Sequence, residues 1–167
     1  KIIMKVSILG NGLTSLTLAK MLVNEGIKVD IFSDRKKNKI NTTQTLGISK
    51  SNIDFFNNKI LNIKKLLWEI HKIEIYSDNL ENKKILNFEN KDKSLFSIVR
   101  NLDLYNNLFL ALNKNKLITF KRKIDYISLL KKDYNLIFNC DYQHPITKKF
   151  FYKKIEKNYD SFAHITT

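Results

Sequence analysis

The stretch Met4–Asp34, MKVSILGNGLTSLTLAKMLVNEGIKVDIFSD, decides the fold of this chain. An apolar run, Val6–Leu9, is followed by a glycine turn at residues 10–12 and then by apolar residues at helical spacing. Gly26 ends that helical pattern, and a second apolar run covers Val29–Phe32. This order predicts a strand, a tight turn, a helix and a second strand, which is the βαβ unit typical of dinucleotide-binding proteins.

The turn has glycine at two of the three positions that a dinucleotide site uses. Gly10 lets the chain reverse tightly after the strand, and Gly12 lets the backbone approach a pyrophosphate held by free N–H groups at the helix start. The helix dipole favours the negative charge there. Ser15 stands where the G-x-G-x-x-G pattern has its third glycine, so we expect a slightly wider helix–strand contact rather than a broken one. The competing interpretation is a βαβ unit that binds nothing.

The length and composition predict one domain over residues 1–167, with 43% hydrophobic residues to form its core. No apolar run approaches the roughly 20 residues of a membrane-spanning helix, and the sequence opens on a strand rather than a signal peptide, which predicts a cytoplasmic protein. Cys140 is the single cysteine, so no internal disulfide can form. The three histidines are scattered, and no metal site is predicted.

The formal net charge of +14 has three possible explanations. The lysines are spread along the whole chain, often beside asparagine, which favours an ordinary solvated surface. Peripheral contact with the anionic inner face of a membrane comes second, because each well-placed basic residue contributes about 1 kcal/mol. A nucleic-acid partner comes third and is not expected. A non-catalytic basic binding module therefore stays an alternative function.

Charged residues directly follow the second predicted strand. In a dinucleotide fold, an acidic residue near this strand end hydrogen-bonds the adenosine ribose. Ser33 occupies the expected position, and Asp34 is the nearest acidic residue. Arg35 would suit the 2′-phosphate of NADP, so an NAD(P)-binding Rossmann oxidoreductase is a second alternative, although a solvated turn explains Arg35 equally well.

The middle of the chain predicts an antiparallel β insertion, because the connections between its strands are too short for helical crossovers. Ser49 or Ser51 is placed to cap a short helix, and Asp103 to cap a longer one that continues to Leu112. The predicted strands cover residues 71–77, 84–89 and 95–99.

The last third of the chain predicts a return to a parallel sheet. Leu117–Phe120 is predicted to form a strand, and residues 124–130 a further strand or a helical turn. Tyr134–Cys140 is predicted to form a strand buried on both faces. Tyr159–Thr167 begins another strand-like run at the end of the sequence. We therefore expect a truncated domain, with residues 159–167 as the first strand of a missing substrate domain.

Six short motifs carry a resemblance to a known family. They are ILGNGLTS at residues 8–15, TQTLGIS at 43–49, LW at 67–68, IVR at 98–100, NCD at 139–141 and YDSFA at 159–163. In this order they resemble the FAD-dependent aromatic-ring hydroxylases, and within them the ubiquinone-biosynthesis monooxygenases that act on polyprenylated phenols. The resemblance covers nearly the whole chain, although members of the family are considerably longer.

The resemblance implies an α/β fold, the Rossmann-like FAD/NAD(P)-binding fold with a βαβ start and an antiparallel β insertion. It also implies FAD as the cofactor, NAD(P)H as the reductant and an aromatic small molecule as the substrate. Within the implied cofactor site, Arg100 would be the flavin-side arginine and Asp141 the aspartate of an Asp-Gly motif. The residues implied to bind FAD are Gly10, Asn11, Gly12, Leu13, Thr14, Ser15, Ser33, Asp34, Arg35, Arg100 and Asp141.

Several positions depart from the family's pattern. Gln44 stands where the family commonly has arginine, and Tyr142 replaces the glycine after Asp141. Pro145 and Lys148 stand where the same motif usually has serine and arginine. The residues that enclose the flavin ring are expected in the missing half, so the chain is expected to be inactive alone. The sequence identifies neither a catalytic residue nor an oligomeric state.

Overall fold

The computed structural model describes residues 4–33, 44–77, 81–151, 153 and 155–160. The chain divides into two compact units, one made of Lys1–Lys39 and Phe109–Thr167 and the other of Ile40–Leu108. We call the first the parallel-sheet unit and the second the antiparallel unit. In chain order the elements are β1 (Lys5–Leu9), α1 (Leu13–Asn24), β2 (Lys28–Ser33), β3 (Thr45–Ile48), α2 (Lys50–Phe55), β4 (Trp68–Ile70), β5 (Lys72–Ser77), β6 (Lys83–Glu89), β7 (Phe96–Arg100), α3 (Asn101–Asn113), β8 (Ile118–Arg122), α4 (Tyr126–Leu130), β9 (Leu136–Asn139) and α5 (Pro145–Phe150).

The parallel-sheet unit contains a four-stranded sheet in the order β8-β2-β1-β9, with every neighbouring pair parallel. Helix α1 joins β1 to β2, which confirms the predicted βαβ unit. The register pairs Val6 with Val29 and Ile8 with Ile31, and all four side chains are fully buried. Each such side chain contributes about 1.5–3 kcal/mol through burial. The buried apolar residues of α1 are Leu16, Ala19 and Val23.

A second apolar cluster in the same unit involves the alternate residues of these strands. Leu9 and Phe32, paired in the β1–β2 register, pack with Leu129 of α4 and Ile146 of α5. The sheet of this unit therefore contributes side chains to apolar packing from both of its faces, as expected for a parallel sheet.

Strand β9 differs from the predicted strand buried on both faces. It does return to the parallel sheet, but among the described residues it pairs with β1 alone. With a neighbour on only one edge, β9 stays partly open to solvent, and Leu136 is 50% exposed. The prediction of complete burial was wrong because an apolar sequence does not reveal whether a strand is central or at an edge.

Two short helices, α4 and α5, follow β8 and β9. The Asp125 carboxylate accepts the Ser128 N–H at 2.9 Å and caps α4, so residues 126–130 are helical rather than a strand. Pro145 begins α5, where a missing N–H is harmless, and His144 Nδ1 accepts the Ile146 N–H at 3.3 Å. Helix α5 was not predicted, although this proline signal is present in the sequence.

The antiparallel unit contains a three-stranded sheet and a separate hairpin. Strand β7 pairs antiparallel with both β3 and β4, whereas β5 and β6 pair with each other. The insertion is antiparallel as predicted, but its third predicted strand does not join the hairpin. Strands of three or four residues such as β4 and β3 show too little alternation to be recognised, so the partners of β7 were missed.

The two helix starts of this unit give different outcomes. Ser49 Oγ accepts the Asn52 N–H at 3.4 Å and caps α2, which selects Ser49 over Ser51. Asp103 is not the cap that we predicted, because β7 runs directly into α3 and the helix already begins at Asn101. Asp103 lies in the first turn of α3, where its negative charge interacts favourably with the helix dipole.

The predicted strand over residues 159–167 falls mostly outside the described residues. Tyr159 and Asp160 belong to no strand, and residues 161–167 are not described. Among the described residues, no helix combines the length and the apolar character needed to cross a membrane.

Asp30 is a buried carboxylate on β2 that joins three distant parts of the parallel-sheet unit. Its Oδ2 atom lies 2.7 Å from Lys121 Nζ and 3.5 Å from Lys5 Nζ, and it accepts a 2.6 Å hydrogen bond from the Tyr134 hydroxyl. Burial acts to raise the pKa of Asp30, but the hydrogen bonds from Lys121 and Tyr134 and the lysine charges lower it below its ordinary value of 3.8. Burial and the bond to Asp30 raise the pKa of Tyr134.

We expect Asp30→Asn to lower the free energy of unfolding by about 2 kcal/mol near neutral pH, less than for a fully buried pair because the lysines are partly exposed. Since folding lowers the pKa of Asp30, the carboxylate stabilises the fold above pH 3.8, and this contribution is lost as the pH falls further. Urea unfolding at neutral and acidic pH measures both effects. Asp133→Asn changes an exposed carboxyl of the same unit and serves as the control. Equal acid sensitivity of Asp30→Asn and the parent chain would contradict this role.

Candidate cofactor-binding site

The glycine turn lies at the carboxyl end of β1, inside the parallel-sheet unit. The Gly10 N–H donates to the Phe32 carbonyl at 2.8 Å and extends the β1–β2 pairing. Gly10 has φ +98°, a conformation that only glycine adopts without strain. A Cβ atom on Gly10 would lie 3.3 Å from Asp141 Cβ and from the Cys140 carbonyl carbon and oxygen. The turn thus needs glycine both for its conformation and for the close approach of the segment after β9.

Gly12 serves a different purpose. Its φ of −72° and ψ of −179° suit any residue, and a Cβ atom added there would meet nothing within 4 Å. The absence of a side chain therefore keeps a space open at the start of α1. Gly12 is also the N-cap, and its carbonyl accepts the first helical hydrogen bond, from the Leu16 N–H at 3.0 Å.

The first turn of α1 begins with N–H groups that the helix itself does not use. Helical geometry gives the N–H groups of residues 13–15 no acceptor within the helix. Gly12 supplies no side-chain cap, and the first turn contains no acidic residue. The partial positive charge of the helix N-terminus is therefore unneutralised by its own side chains, which suits a phosphate or pyrophosphate.

Ser15 lies at the third position of the glycine pattern and is 1% exposed. Its hydroxyl has no hydrogen bond of standard geometry to any described residue, yet it lies close enough to influence Cys140. Burial raises the pKa of the Cys140 thiol, and the Ser15 hydroxyl partly opposes that rise. The neighbouring Leu16 is also fully buried, so Ser15 lies on the side of α1 that packs inside the unit.

Asp141 reaches the same edge of the sheet from the end of β9. The Cys140 N–H donates to the Leu9 carbonyl at 2.9 Å, which holds the segment beside β1. The Asp141 Oδ1 atom accepts the Gln143 N–H at 3.0 Å, and its Oδ2 atom lies 3.9 Å from Lys123 Nζ. The Asp141 carboxylate thus closes a turn next to Gly10 and lies near the exposed ammonium group of Lys123.

Ser33 ends the neighbouring strand β2 and is buried. It pairs in register with Arg122, and its carbonyl accepts the Lys123 N–H at 2.9 Å. Arg122 and Lys123 were not predicted at this site, although three basic residues at 121–123 directly follow the predicted strand Leu117–Phe120. Asp34 and Arg35 lie outside the described residues.

Arg100 belongs to the antiparallel unit, where it ends β7 and precedes α3. It pairs in register with Thr45, beside Gln44. The Gln44 carbonyl accepts the Asn101 backbone N–H at 2.9 Å. The Asn101 side-chain amide also donates a hydrogen bond to Gln44 Oε1 at 3.3 Å. The structure therefore brings together two of the sequence motifs, TQTLGIS and IVR, as adjacent strands.

Charge is divided unevenly between the two units. The parallel-sheet unit holds 20 basic and 8 acidic residues, a net charge of +12, whereas the antiparallel unit holds 10 and 8, a net charge of +2. The unit that contains the glycine turn therefore attracts anions more strongly. Among the described residues, no group of three or more histidine, cysteine, aspartate or glutamate side chains could hold a metal ion.

Taken together, a glycine turn, a helix N-terminus and the ends of β2 and β9 lie at the carboxyl edge of one parallel sheet. This is the arrangement of a Rossmann-like dinucleotide-binding fold. The open space at Gly12 and the N–H groups of residues 13–15, which have no acceptor within the helix, fit the pyrophosphate of such a cofactor.

No protein-family model and no curated protein matches the sequence. Solved structures do share its fold. One is p-nitrophenol 4-monooxygenase PnpA from Pseudomonas putida, with a TM-score of 0.59 and 13% identity over 72% of this chain and 32% of PnpA. PqsL, a probable FAD-dependent monooxygenase from Pseudomonas aeruginosa, gives a TM-score of 0.57 and 16% identity over 71% of this chain and 32% of PqsL. HpxO from Klebsiella pneumoniae, solved with FAD and uric acid, gives a TM-score of 0.53 and 17% identity over 70% of this chain and 30% of HpxO.

At these identities the likeness establishes the fold, which is the Rossmann-like α/β fold found in FAD-binding monooxygenases. This confirms the predicted fold class. The chain spans about a third of the length of the solved structures that it matches.

Proposed function

We propose that this chain is the FAD-binding portion of a flavin-dependent monooxygenase that hydroxylates an aromatic substrate. The observation that carries the proposal is the N-terminus of α1, whose first N–H groups have no acceptor within the helix and lie beside an open space at Gly12. The fold shared with FAD-dependent monooxygenases supports FAD as the dinucleotide.

In this proposal the N–H groups of residues 13–15 donate to the pyrophosphate oxygens, and Gly12 leaves room for them. Gly10 and Asn11 shape the turn, and Ser15 is the third position of the same glycine pattern. Bound FAD would supply the electron transfer and the oxygen activation, whereas the protein supplies position and electrostatics. The cofactor contacts proposed outside the turn are Ser33, Asp34, Arg35, Arg100 and Asp141.

The substrate proposal has two levels of detail. PnpA is a p-nitrophenol monooxygenase, and PqsL and HpxO were solved with 2-aminobenzoylacetate and uric acid, which supports a small ring-containing substrate for this chain. A polyprenylated phenol of ubiquinone biosynthesis rests on the six sequence motifs alone. NAD(P)H as the reductant rests on the same resemblance.

We propose catalytic activity for this region only together with the remainder of such a fold, since the chain spans about a third of its solved relatives. Residues 1–167 would act as one cofactor domain leading into a substrate domain. The basic excess of the parallel-sheet unit supports peripheral contact with an anionic membrane, which salt-dependent flotation with anionic vesicles would test.

Calorimetric titration of the purified chain with FAD, NADPH and NADH tests the cofactor assignment. FAD should bind at least about tenfold more tightly than either nicotinamide dinucleotide. NADPH as the tightest ligand would instead favour the NAD(P)-binding oxidoreductase, for which the same glycine turn is suited. Equal and weak binding of all three would leave the basic binding module as the better account.

A further inference from the structure

His144 is a buried histidine at the start of α5, and both nitrogens of its ring have backbone partners. The residue is only 2% exposed. Its Nδ1 atom accepts the Ile146 N–H at 3.3 Å, and its Nε2 atom lies 3.2 Å from the Ile124 carbonyl oxygen. Because a backbone N–H can only donate and a carbonyl oxygen can only accept, Nδ1 carries no proton and Nε2 carries one. The partners of the ring therefore select its neutral form.

The same residue provides the start of α5. Pro145 has no N–H group, the Ile146 N–H bonds to the ring, and the Thr147 N–H donates to the His144 carbonyl at 2.9 Å. A helix of six residues has little stability of its own, so it depends on such contacts. Because Nε2 meets the Ile124 carbonyl, the ring also joins α5 to the segment between β8 and α4.

Helix α5 in turn holds the turn at residues 141–144. Thr147 Oγ1 accepts the Asn139 side-chain amide at 2.7 Å and donates to the Asp141 carbonyl at 3.3 Å. The His144 N–H donates to the same carbonyl at 3.0 Å. On its other side, Asp141 approaches Gly10 so closely that a Cβ atom added to Gly10 would lie 3.3 Å from Asp141 Cβ. A continuous path of contacts therefore leads from the His144 ring to the glycine turn.

The surroundings of His144 do not favour a protonated ring. The titratable and charged side chains nearest to it on the elements that meet the ring are Lys123, Asp125, Tyr126, Asp141, Lys148 and Lys149. The Asp125 carboxylate caps α4, and the Asp141 carboxylate lies 3.9 Å from Lys123 Nζ. Among the described residues, no carboxylate forms an ion pair with the His144 ring. A proton added at Nδ1 would face the Ile146 N–H, which is itself a donor, so the bond between them would be lost.

We propose that His144 is a positioning residue. Its neutral ring holds the turn at residues 141–144 against the glycine turn, and protonation of the ring loosens that turn and weakens cofactor binding. The effect on the cofactor rests on the proposed FAD-binding function, whereas the effect on the fold does not. Histidine ordinarily takes up a proton at about pH 6.5. Since the bonds to the ring require its neutral form, they stabilise the fold above this pH, and their contribution is lost as the pH falls below it.

Thermal unfolding of the chain without FAD, at about pH 7.5 and pH 5.5, tests the effect on the fold. His144→Asn keeps a side-chain acceptor at the N-cap but cannot take up a proton. Between the two pH values, the unfolding temperature of the parent chain should fall by about 3 °C more than that of His144→Asn. His71→Asn is the matched control and should behave like the parent chain, because the His71 side chain is 47% exposed and belongs to the antiparallel unit. Equal falls in the parent chain and His144→Asn would overturn the proposal.

Flavin fluorescence titration at the same two pH values tests the effect on the cofactor. At the lower pH, the FAD affinity of the parent chain and of His71→Asn should fall about fivefold, whereas that of His144→Asn should change less than about twofold. Equal FAD affinity of the parent chain at both pH values would overturn this link. Absence of FAD binding at the higher pH would overturn the effect on the cofactor together with the proposed function, and the unfolding comparison would still decide the role of His144 in the fold.

An NMR titration of the parent chain tests the proposal without any substitution. The nitrogen chemical shifts of the His144 ring should show the neutral form with its proton on Nε2 at about pH 7.5. As the ring takes up a second proton, amide exchange at Ile146 and Thr147 should become faster. A neutral ring with its proton on Nδ1 would overturn the proposal, and so would unchanged protection of both amides once the ring is protonated.

Discussion

The Gly12→Val variant should lose FAD binding by at least about 100-fold while keeping its fold. The backbone of Gly12 is in an ordinary extended conformation, and a Cβ atom added there meets nothing within 4 Å, so valine brings no backbone strain and no clash at its Cβ atom. The added side chain would fill the space proposed for the pyrophosphate. Because valine is a poorer N-cap, the free energy of unfolding should fall by about 1 kcal/mol or less. Flavin fluorescence titration and urea unfolding measure the two quantities.

Gly12→Ala is the matched control for size. A single methyl group occupies less of the open space, so Gly12→Ala should bind FAD with an affinity between those of Gly12→Val and the parent chain. Unchanged FAD affinity in Gly12→Val would place the cofactor elsewhere. A large loss of stability in Gly12→Val would mean that the space at Gly12 is occupied by the protein itself.

The Gly10→Ala variant should lose both stability and FAD binding. Alanine at φ +98° is strained, and its Cβ would lie 3.3 Å from Asp141 Cβ and from the Cys140 backbone. We expect the free energy of unfolding to fall by about 3 kcal/mol. For a chain of this size, such a loss lowers the unfolding temperature by roughly 6–12 °C. Thermal unfolding followed by circular dichroism measures the shift.

Gly26→Ala separates the two causes. Gly26 has φ +77°, but a Cβ atom there meets nothing within 4 Å, so the variant carries backbone strain without the close contact. It should lose about 1 kcal/mol and keep its FAD affinity. If Gly10→Ala were no less stable than Gly26→Ala, the close approach of the Asp141 segment would contribute nothing to the fold.

The βαβ start was predictable because each of its signals is local. Apolar runs, a glycine turn and helical spacing all occur within Met4–Asp34, and the structure confirms the strand, helix and strand there. The turn at Gly10 could be predicted for the same reason. A turn with positive φ favours glycine whatever the more distant parts of the chain do, so the glycine itself is a local signal.

The missed features depend on residues far apart in sequence. Asp30 meets Tyr134 across 104 positions, and no local pattern marks either residue as part of an ion-pair network. The pairing of β7 with β3 spans about a third of the chain, and the edge position of β9 depends on which strands lie beside it. Local sequence determines that a strand forms, whereas its neighbours follow from tertiary packing.

The candidate site shows the same division. The turn and the helix start after it were predicted from spacing, and the resemblance added Asp141, which the structure places beside Gly10. Lys123 was missed because its contact with Asp141 joins the ends of β8 and β9, which are not neighbours in the sheet. The role of every predicted site residue in binding FAD stays a proposal.

An amide chemical-shift titration of the isotopically labelled chain with FAD tests the central claim most directly. If the pyrophosphate binds at the start of α1, the largest shifts should occur at Gly10, Gly12 and the amides of residues 13–15, and Gly12→Val should abolish them. Largest shifts around Lys121 and Lys132, or no shifts at saturating FAD, would contradict the account.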